Sequence, residues 1–413
     1  MDCVRRPPMN RLYRLFLATA LAVPASVTHA ETAAYSDNVI RIGVMNDRSG
    51  PYADLSGEGS AIAARMAAEE FGNKVNGVPV EIVTADHRNK PDIGAAIARK
   101  WFDADGVDVI ADIANSAVSL AVNGLVKDRK KLVLHNSASS ELTGKACNAH
   151  SIQWQYSVYA ASSNVVTKQM VDGGMNTFFI IAVDYALGES ISKDFKAAVA
   201  RAGGKVVGEV RHPLNTTDFS SYLLQAQASG AKAVMLANAG SDLVTSATQA
   251  QEFGLTPKVQ LLAGALTKDV VRSAGLKVMQ GMQTMSWYEM YRDDASKAWA
   301  KKFAERNKGK TPTELQASTY SAVRSYLKAV QDAHTDDADA VASKLRSMSI
   351  NDAFAANGHV RPDGLMSHDM YLVRIKAPAQ SVGEGDYSNV LKTVKGDDAN
   401  IPLSQSECPL VKK

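Results

Sequence analysis

Apolar residues recur along this 413-residue chain in two alternating rhythms. Short apolar runs at 40–45, 78–83, 107–113 and 132–135 alternate with stretches of helical period at 61–71, 92–102 and 117–127. The pattern restarts with a helix at 159–171. It continues as strand 177–183, helix 190–202, strand 205–210, helix 219–228, strand 233–237, helix 242–253 and strand 259–262. Continuous apolar runs between amphipathic helices predict buried parallel strands in βαβ units. Asp218 is the expected N-cap of the helix at 219–228, and Gly254 the end of the one at 242–253. Two series of similar length predict an α/β protein of two doubly wound parallel-sheet lobes. Helices at 295–307 and 318–333 are expected to return to the first lobe, and strand 371–375 to join the second. The Gly/Ser/Asp-rich tail from Ala377 is expected to wrap the surface.

The first strand runs into Ser49-Gly50-Pro51-Tyr52 and then an Ala-rich helix. Loops at the carboxyl ends of parallel strands are where open α/β sheets bind small polar ligands, and helix N-termini there favour anions. Gly57 and Gly59 read as turn and close-approach positions.

The amino-terminal segment changes the compartment. Arg5, Arg6, Arg11 and Arg14 precede an apolar run at 15–23, then Pro24 and Thr28-His29-Ala30. This predicts a secretory signal at 1–30, cleaved after Ala30, and a periplasmic protein. Its apolar stretch is too short to span a membrane, and Met9 is an alternative start. Loss of residues 1–30 removes four Arg and one Asp, a net +3 equal to the formal charge of the whole chain. The remainder is near neutral and carries no nucleic-acid signature. About 380 residues remain, more than one core usually holds. Cys3 departs with the signal, leaving Cys147 and Cys408 as an even pair expected to form one disulfide that ties the C-terminal tail to the body, with two separate buried thiols as the alternative.

Familiar catalytic patterns are missing. There is no phosphate-binding Gly-x-x-x-x-Gly-Lys loop, Gly-x-Ser-x-Gly elbow, His-Glu-x-x-His or Cys-x-x-Cys, and Gly57-Glu58-Gly59 lacks a third glycine. The seven histidines after the signal lack ligand spacing. The adjacent pairs Asp86-His87 and His368-Asp369 read as solvated loop residues.

Ile40-Arg-Ile-Gly-Val with Ser49-Gly50-Pro51-Tyr52, Asp86, Asn115-Ser116, Ser137-Ala138-Ser139, Asp184-Tyr185-Ala186-Leu187-Gly188, Asp218-Phe219-Ser220 and Tyr320–Tyr326 together resemble the periplasmic Leu/Ile/Val-binding family. These are type I solute-binding proteins of branched-chain-amino-acid-type ABC importers. The resemblance spans 38–376. It implies lobe 1 at 38–157 plus 285–357, lobe 2 at 158–284 plus 358–377, and an extension at 378–413. The lobes would be joined by a three-crossover hinge near 155–160, 282–287 and 354–359. It further implies a monomer that closes on a small-molecule ligand and docks on an inner-membrane permease, with no cofactor, metal or catalysis.

By the resemblance, Ser137, Ala138 and Ser139, with Asn115 or Ser116, hold a ligand carboxylate; ordinary helix caps are the other reading of these residues. Lobe two departs from the amino-acid-binding pattern. Ala239 and Ala265 stand where relatives direct an aromatic and an acidic residue at the ligand's amino group, and Leu187 stands where an aromatic is common, with Tyr185 beside it. A buried ammonium without an anionic partner is costly. The expected ligand is therefore a carboxylate lacking an α-amino group, aromatic or otherwise apolar, with a branched-chain amino acid or amide as the alternative. Tyr52 is a candidate contact. Trp154, with Tyr156, Tyr185 and Trp287, could supply flat walls, or belong to the core. A ligand-sensing subunit on the same fold, or a secreted hydrolase using Asp184, Asp86 and a histidine, are competing readings.

Overall fold

The computed structural model describes residues 1–3, 35–162, 164–256 and 258–412. Apart from its first three residues, the expected signal and its cleavage point lie outside them.

Two large sheets organise the described residues. The first contains β1 (Ile40–Asn46), β2 (Lys74–Val75), β3 (Val78–Asp86), β4 (Val109–Ala111), β5 (Leu132–His135) and β6 (Ser151–Gln153), in the order β2-β3-β1-β4-β5-β6. All its pairings are parallel except the β2–β3 hairpin. The second contains β7 (Thr177–Val183), β8 (Lys205–His212), β9 (Ala233–Ala237), β10 (Gln260–Ala263) and β11 (Gln283–Ser286). After a two-stranded ribbon of β12 (His359–Val360) and β13 (Met366–Ser367), β14 (Met370–Ile375) and β15 (Ser388–Val394) complete it. Its order is β15-β14-β11-β10-β9-β7-β8, with β14 and β15 antiparallel. The central strands β1, β7 and β9 are almost wholly buried, as strands covered by helices on both faces must be.

The chain crosses between the sheets three times: from β6 to β7, from β11 to helix Asp294–Arg306, and from helix Ala338–Ser347 to β14. Helix Glu314–Ala333 returns to pack along helix Gly57–Glu70 of the first lobe. The close approach uses small residues: Ala63, Ala64 and Ala67 are fully buried, and a side chain at Gly59 would collide with Gln316. Helix Gly57–Glu70 therefore begins four residues before its Ala-rich stretch. On the other side, helix Ser220–Ala228 starts one residue later than expected. Its N-cap is Phe219 and not Asp218, whose carboxylate accepts the Ser220 amide (2.9 Å) from one position earlier.

The tail does more than wrap the surface. Residues 388–394 form β15 along the edge strand β14, and Cys408 is bonded to Cys147 of the first lobe with Cα atoms 5.6 Å apart. The bond closes a loop over a sequence separation of 261. Reducing it, or replacing Cys408 by Ser, is expected to lower folding free energy by about 2–5 kcal/mol. Denaturant midpoints measured with and without reductant test this, and coincident midpoints would contradict it.

Candidate functional site

The carboxyl ends of the strands in both sheets lead into the loops the sequence singled out. After β1, the Asp47 carboxylate is fully buried and accepts the amides of Gly50 (2.8 Å) and Tyr52 (2.9 Å). This local turn points Tyr52 at the opposite lobe, where its hydroxyl hydrogen-bonds that of Tyr185. Burial pushes both phenols upward, so they meet as neutral groups. Across the same seam Ser139 Oγ and Ser190 Oγ lie 3.1 Å apart, and the Tyr156 hydroxyl donates to the Gly264 carbonyl (3.0 Å). Gly240, at φ +58°, opens the helix after β9; a Cβ there would sit 2.6 Å from the Pro51 carbonyl of the facing lobe.

Between these contacts lies a cavity of about 30 Å³. Lobe one contributes Tyr52, Leu55, Ala114, Asn136, Ala138 and Leu315. Lobe two contributes Leu187, Ala239, Ala265 and Thr267, and the crossovers contribute Gln155, Tyr156 and Trp287. The Tyr156 and Trp287 rings pack with centroids 4.0 Å apart at 33°. Contacts from both lobes, Tyr52 with Tyr185 and Ser139 with Ser190, flank this space.

The structure thus brings Tyr52, Ala138, Leu187, Ala239 and Ala265 together around one cavity. Tyr185 stands behind Tyr52. Ser137 Oγ donates to Ser116 Oγ (3.1 Å), and the Ser139 amide to Ser137 Oγ (3.4 Å), all three serines being buried beside Ala138. Asn115 uses its side-chain oxygen to cap its own helix, accepting the amides of Ala117 (3.0 Å) and Val118 (3.1 Å). Trp154 is not part of the cavity wall. It is fully buried in lobe one, its indole N–H donating to Ser321 Oγ (3.1 Å).

The histidines of the two pairs are not solvated, while Asp86 and Asp369 are half-buried. His87 and His368 are buried, and burial pushes each down to about 4, so they are neutral core groups. Asp86 is held by Ser49 Oγ (2.6 Å) and the amides of Arg48 and Arg88. Asp184 is exposed and paired with Arg211 (3.4 Å). These residues have separate partners and form no relay. No group of three or more His, Cys, Asp or Glu among the described residues could hold a metal, and no described helix is long and apolar enough to cross a membrane.

Sequence reading missed an ion pair at the seam. Lys268 opens the helix after β10, Glu314 opens helix Glu314–Ala333 of the other lobe, and both are buried at 3.1 Å. Glu314 also accepts the Lys268 amide (3.0 Å), and the ammonium lies 5.0 Å from the Tyr288 ring centroid and donates to the Tyr288 carbonyl (3.2 Å). Burial opposes the lysine charge, but Glu314 and Glu289 outweigh it and hold Lys268 above its ordinary value. Thr313 anchors the Glu314 end through a capping box with Gln316 and by donating to the Leu55 carbonyl (2.7 Å). The flanking residues Thr267 and Leu315 line the cavity, so the pair fixes one side of it.

Two α/β lobes joined by three crossovers, with a cleft where their carboxyl edges meet, have the architecture of solute-capturing proteins. The chain belongs to the periplasmic binding protein family, whose model matches residues 39–381. It is 40% identical to a periplasmic binding protein from Burkholderia mallei (TM-score 0.88), covering 91% of this chain and 100% of that one. A branched chain amino acid ABC transporter periplasmic ligand-binding protein from Burkholderia xenovorans LB400 is 39% identical (TM-score 0.80), covering 90% and 100%. Leu/Ile/Val-binding protein homolog 6 of Brucella abortus is 33% identical over 220 residues, 52% of this chain and 54% of the relative. The chain thus spans about half the length of this curated relative.

Removing one partner of a buried ion pair leaves the other charge stranded, typically at a cost of about 3–5 kcal/mol. Lys268→Met and Glu314→Leu are each expected to destabilise the protein by about that amount, and the double variant by clearly less than their sum. Additive losses in a chemical-denaturation cycle would show that the two side chains are not coupled.

Proposed function

We propose that this chain is the solute-capturing component of an ABC importer. In this reading the two lobes close on a small apolar carboxylate, most simply an aromatic acid lacking an α-amino group, and present it to a membrane permease. The observation that carries the ligand class is the cavity wall. None of its described residues bears a charge, and lobe two offers only Leu187, Ala239, Ala265 and Thr267. The Glu314 carboxylate, next in sequence to the lining residue Leu315, is neutralised by Lys268. An amino acid's ammonium would enter this site without an anionic partner, at a large desolvation cost.

Lobe one offers the acid end, with Ser116, Ser137 and Ser139 buried next to the lining residue Ala138 and not themselves lining the cavity. The hydroxyls and backbone amides around Ser116, Ser137 and Ser139 are short donors at a sheet edge where a helix begins, suited to a carboxylate. Capping occupies the Asn115 side-chain oxygen and not its amide N–H groups, so Asn115 and Ser116 both remain donors in this reading. The proposed hinge comprises the three crossovers, and the proposed lobes are 38–157 plus 285–357 and 158–284 plus 358–377, with 378–413 spanning both. Binding involves no bond breaking: closure is stabilised by contacts a ligand makes to both lobes at once.

A branched-chain amino acid is the second reading, favoured by the 33% identity to the Brucella abortus Leu/Ile/Val-binding homolog. Calorimetry separates the two. Benzoate- or cinnamate-like acids are expected to bind at least tenfold more tightly than leucine, with compaction visible by small-angle scattering. Tight leucine binding, with no heat from the aromatic acids, would reverse the assignment.

A further inference from the structure

The cavity is apolar but not uniformly so. Three of its lining side chains carry buried polar atoms with no hydrogen-bond partner: the Trp287 indole N–H, the Gln155 side-chain carbonyl Oε1 and the Thr267 hydroxyl. Trp287 is 1% exposed and Gln155 3%. Trp154, by contrast, has its indole N–H matched by Ser321, and Asn136 in the same wall donates to Asp112, Leu315 and Thr319. Folded proteins rarely leave a buried donor or acceptor unmatched, and an orphaned one calls for an explanation. Here the unmatched donor of Trp287 and the unmatched acceptor of Gln155 lie on the two crossover segments that follow β6 and β11, and the Thr267 hydroxyl adds a third polar atom from lobe two.

We propose that Gln155 and Trp287 form a polar subsite that selects ligands bearing a hydroxyl group in addition to their carboxylate. This rests on the reading of the ligand as an apolar acid and narrows it to hydroxylated aromatic acids. A hydroxyl is the smallest group that both donates and accepts. It can donate to Gln155 Oε1 while accepting from the Trp287 N–H, satisfying both at once. An unsubstituted ring satisfies neither, a carbonyl only the indole, and an ammonium only the glutamine. A site built to hydrogen-bond a ligand hydroxyl discriminates against the analogue lacking it, because the site's own polar groups then stay buried and unpaired. Since both residues lie on crossovers, the subsite assembles as the hinge closes, so a hydroxylated acid favours closure as well as contact.

Matched ligands test the subsite. Calorimetry on the purified chain compares benzoate with 3-hydroxybenzoate and 4-hydroxybenzoate. At least one hydroxy acid is expected to bind tenfold or more tightly than benzoate. Trp287→Phe keeps a ring against Tyr156 and deletes the donor, and Gln155→Leu deletes the acceptor. Each is expected to weaken the preferred hydroxy acid at least tenfold more than it weakens benzoate. Equal binding of benzoate and both hydroxy acids to the unaltered protein overturns the subsite without needing any variant. Equal losses for benzoate and hydroxy acid in both variants also overturn it, because the two residues would then be no more than wall. If none of the three acids binds and leucine does, the aromatic-acid reading falls and the subsite with it.

Discussion

Lys268 and Glu314 are two opposite charges held almost out of water on helices of different lobes. Taking them from solvent costs several kcal/mol per ion, and only close approach with further hydrogen bonds offsets that. The seam provides these: the paired carboxylate takes a backbone amide as well as the ammonium, which also lies beside the Tyr288 ring. A buried pair of this kind is close to energetic balance rather than a strong clasp. Opening the cleft rehydrates both ions, so the pair specifies where the lobes meet more than how firmly. Its sequence neighbours Thr267 and Leu315 line the cavity, and Tyr52 with Tyr185 and Ser139 with Ser190 make further contacts across the same seam.

The regular framework was legible because its signals are local. Apolar runs marked β5, β7 and β9 at their observed limits, and helical period found the packing helices to within a few residues. What escaped lacks a run to read. β11 is Gln-Thr-Met-Ser, β6 is Ser-Ile-Gln, and β15 is exposed along most of its length at the sheet edge. Helix Gly57–Glu70 was placed late because its first turn is Gly-Glu-Gly-Ser, polar in sequence yet packed under Gln316.

The site was legible by loop and less so by side chain. Strand ends located the loops that meet at the seam, since parallel topology gathers them at one sheet edge. Which atom each loop presents depends on partners far along the chain. Asn115 turned inward to cap its helix, Trp154 found Ser321 across 167 positions, and Lys268 met Glu314 across 46. Asp47 is the exception that could have been read: a carboxylate at a strand end, three residues before a glycine, is a local turn signal.

The bond between Cys147 and Cys408 alters the topology of the second lobe. All seven strands of its sheet, from β7 to β15, lie between those two cysteines. The lobe is therefore enclosed in a covalent ring and has no free chain end. A terminal edge strand such as β15 is ordinarily where a sheet frays or recruits a stray strand. With its far end fastened to the other lobe, β15 can leave the sheet only as a closed bight of chain. In the oxidised protein, the second lobe must lose its order from within, never by unravelling from a tip.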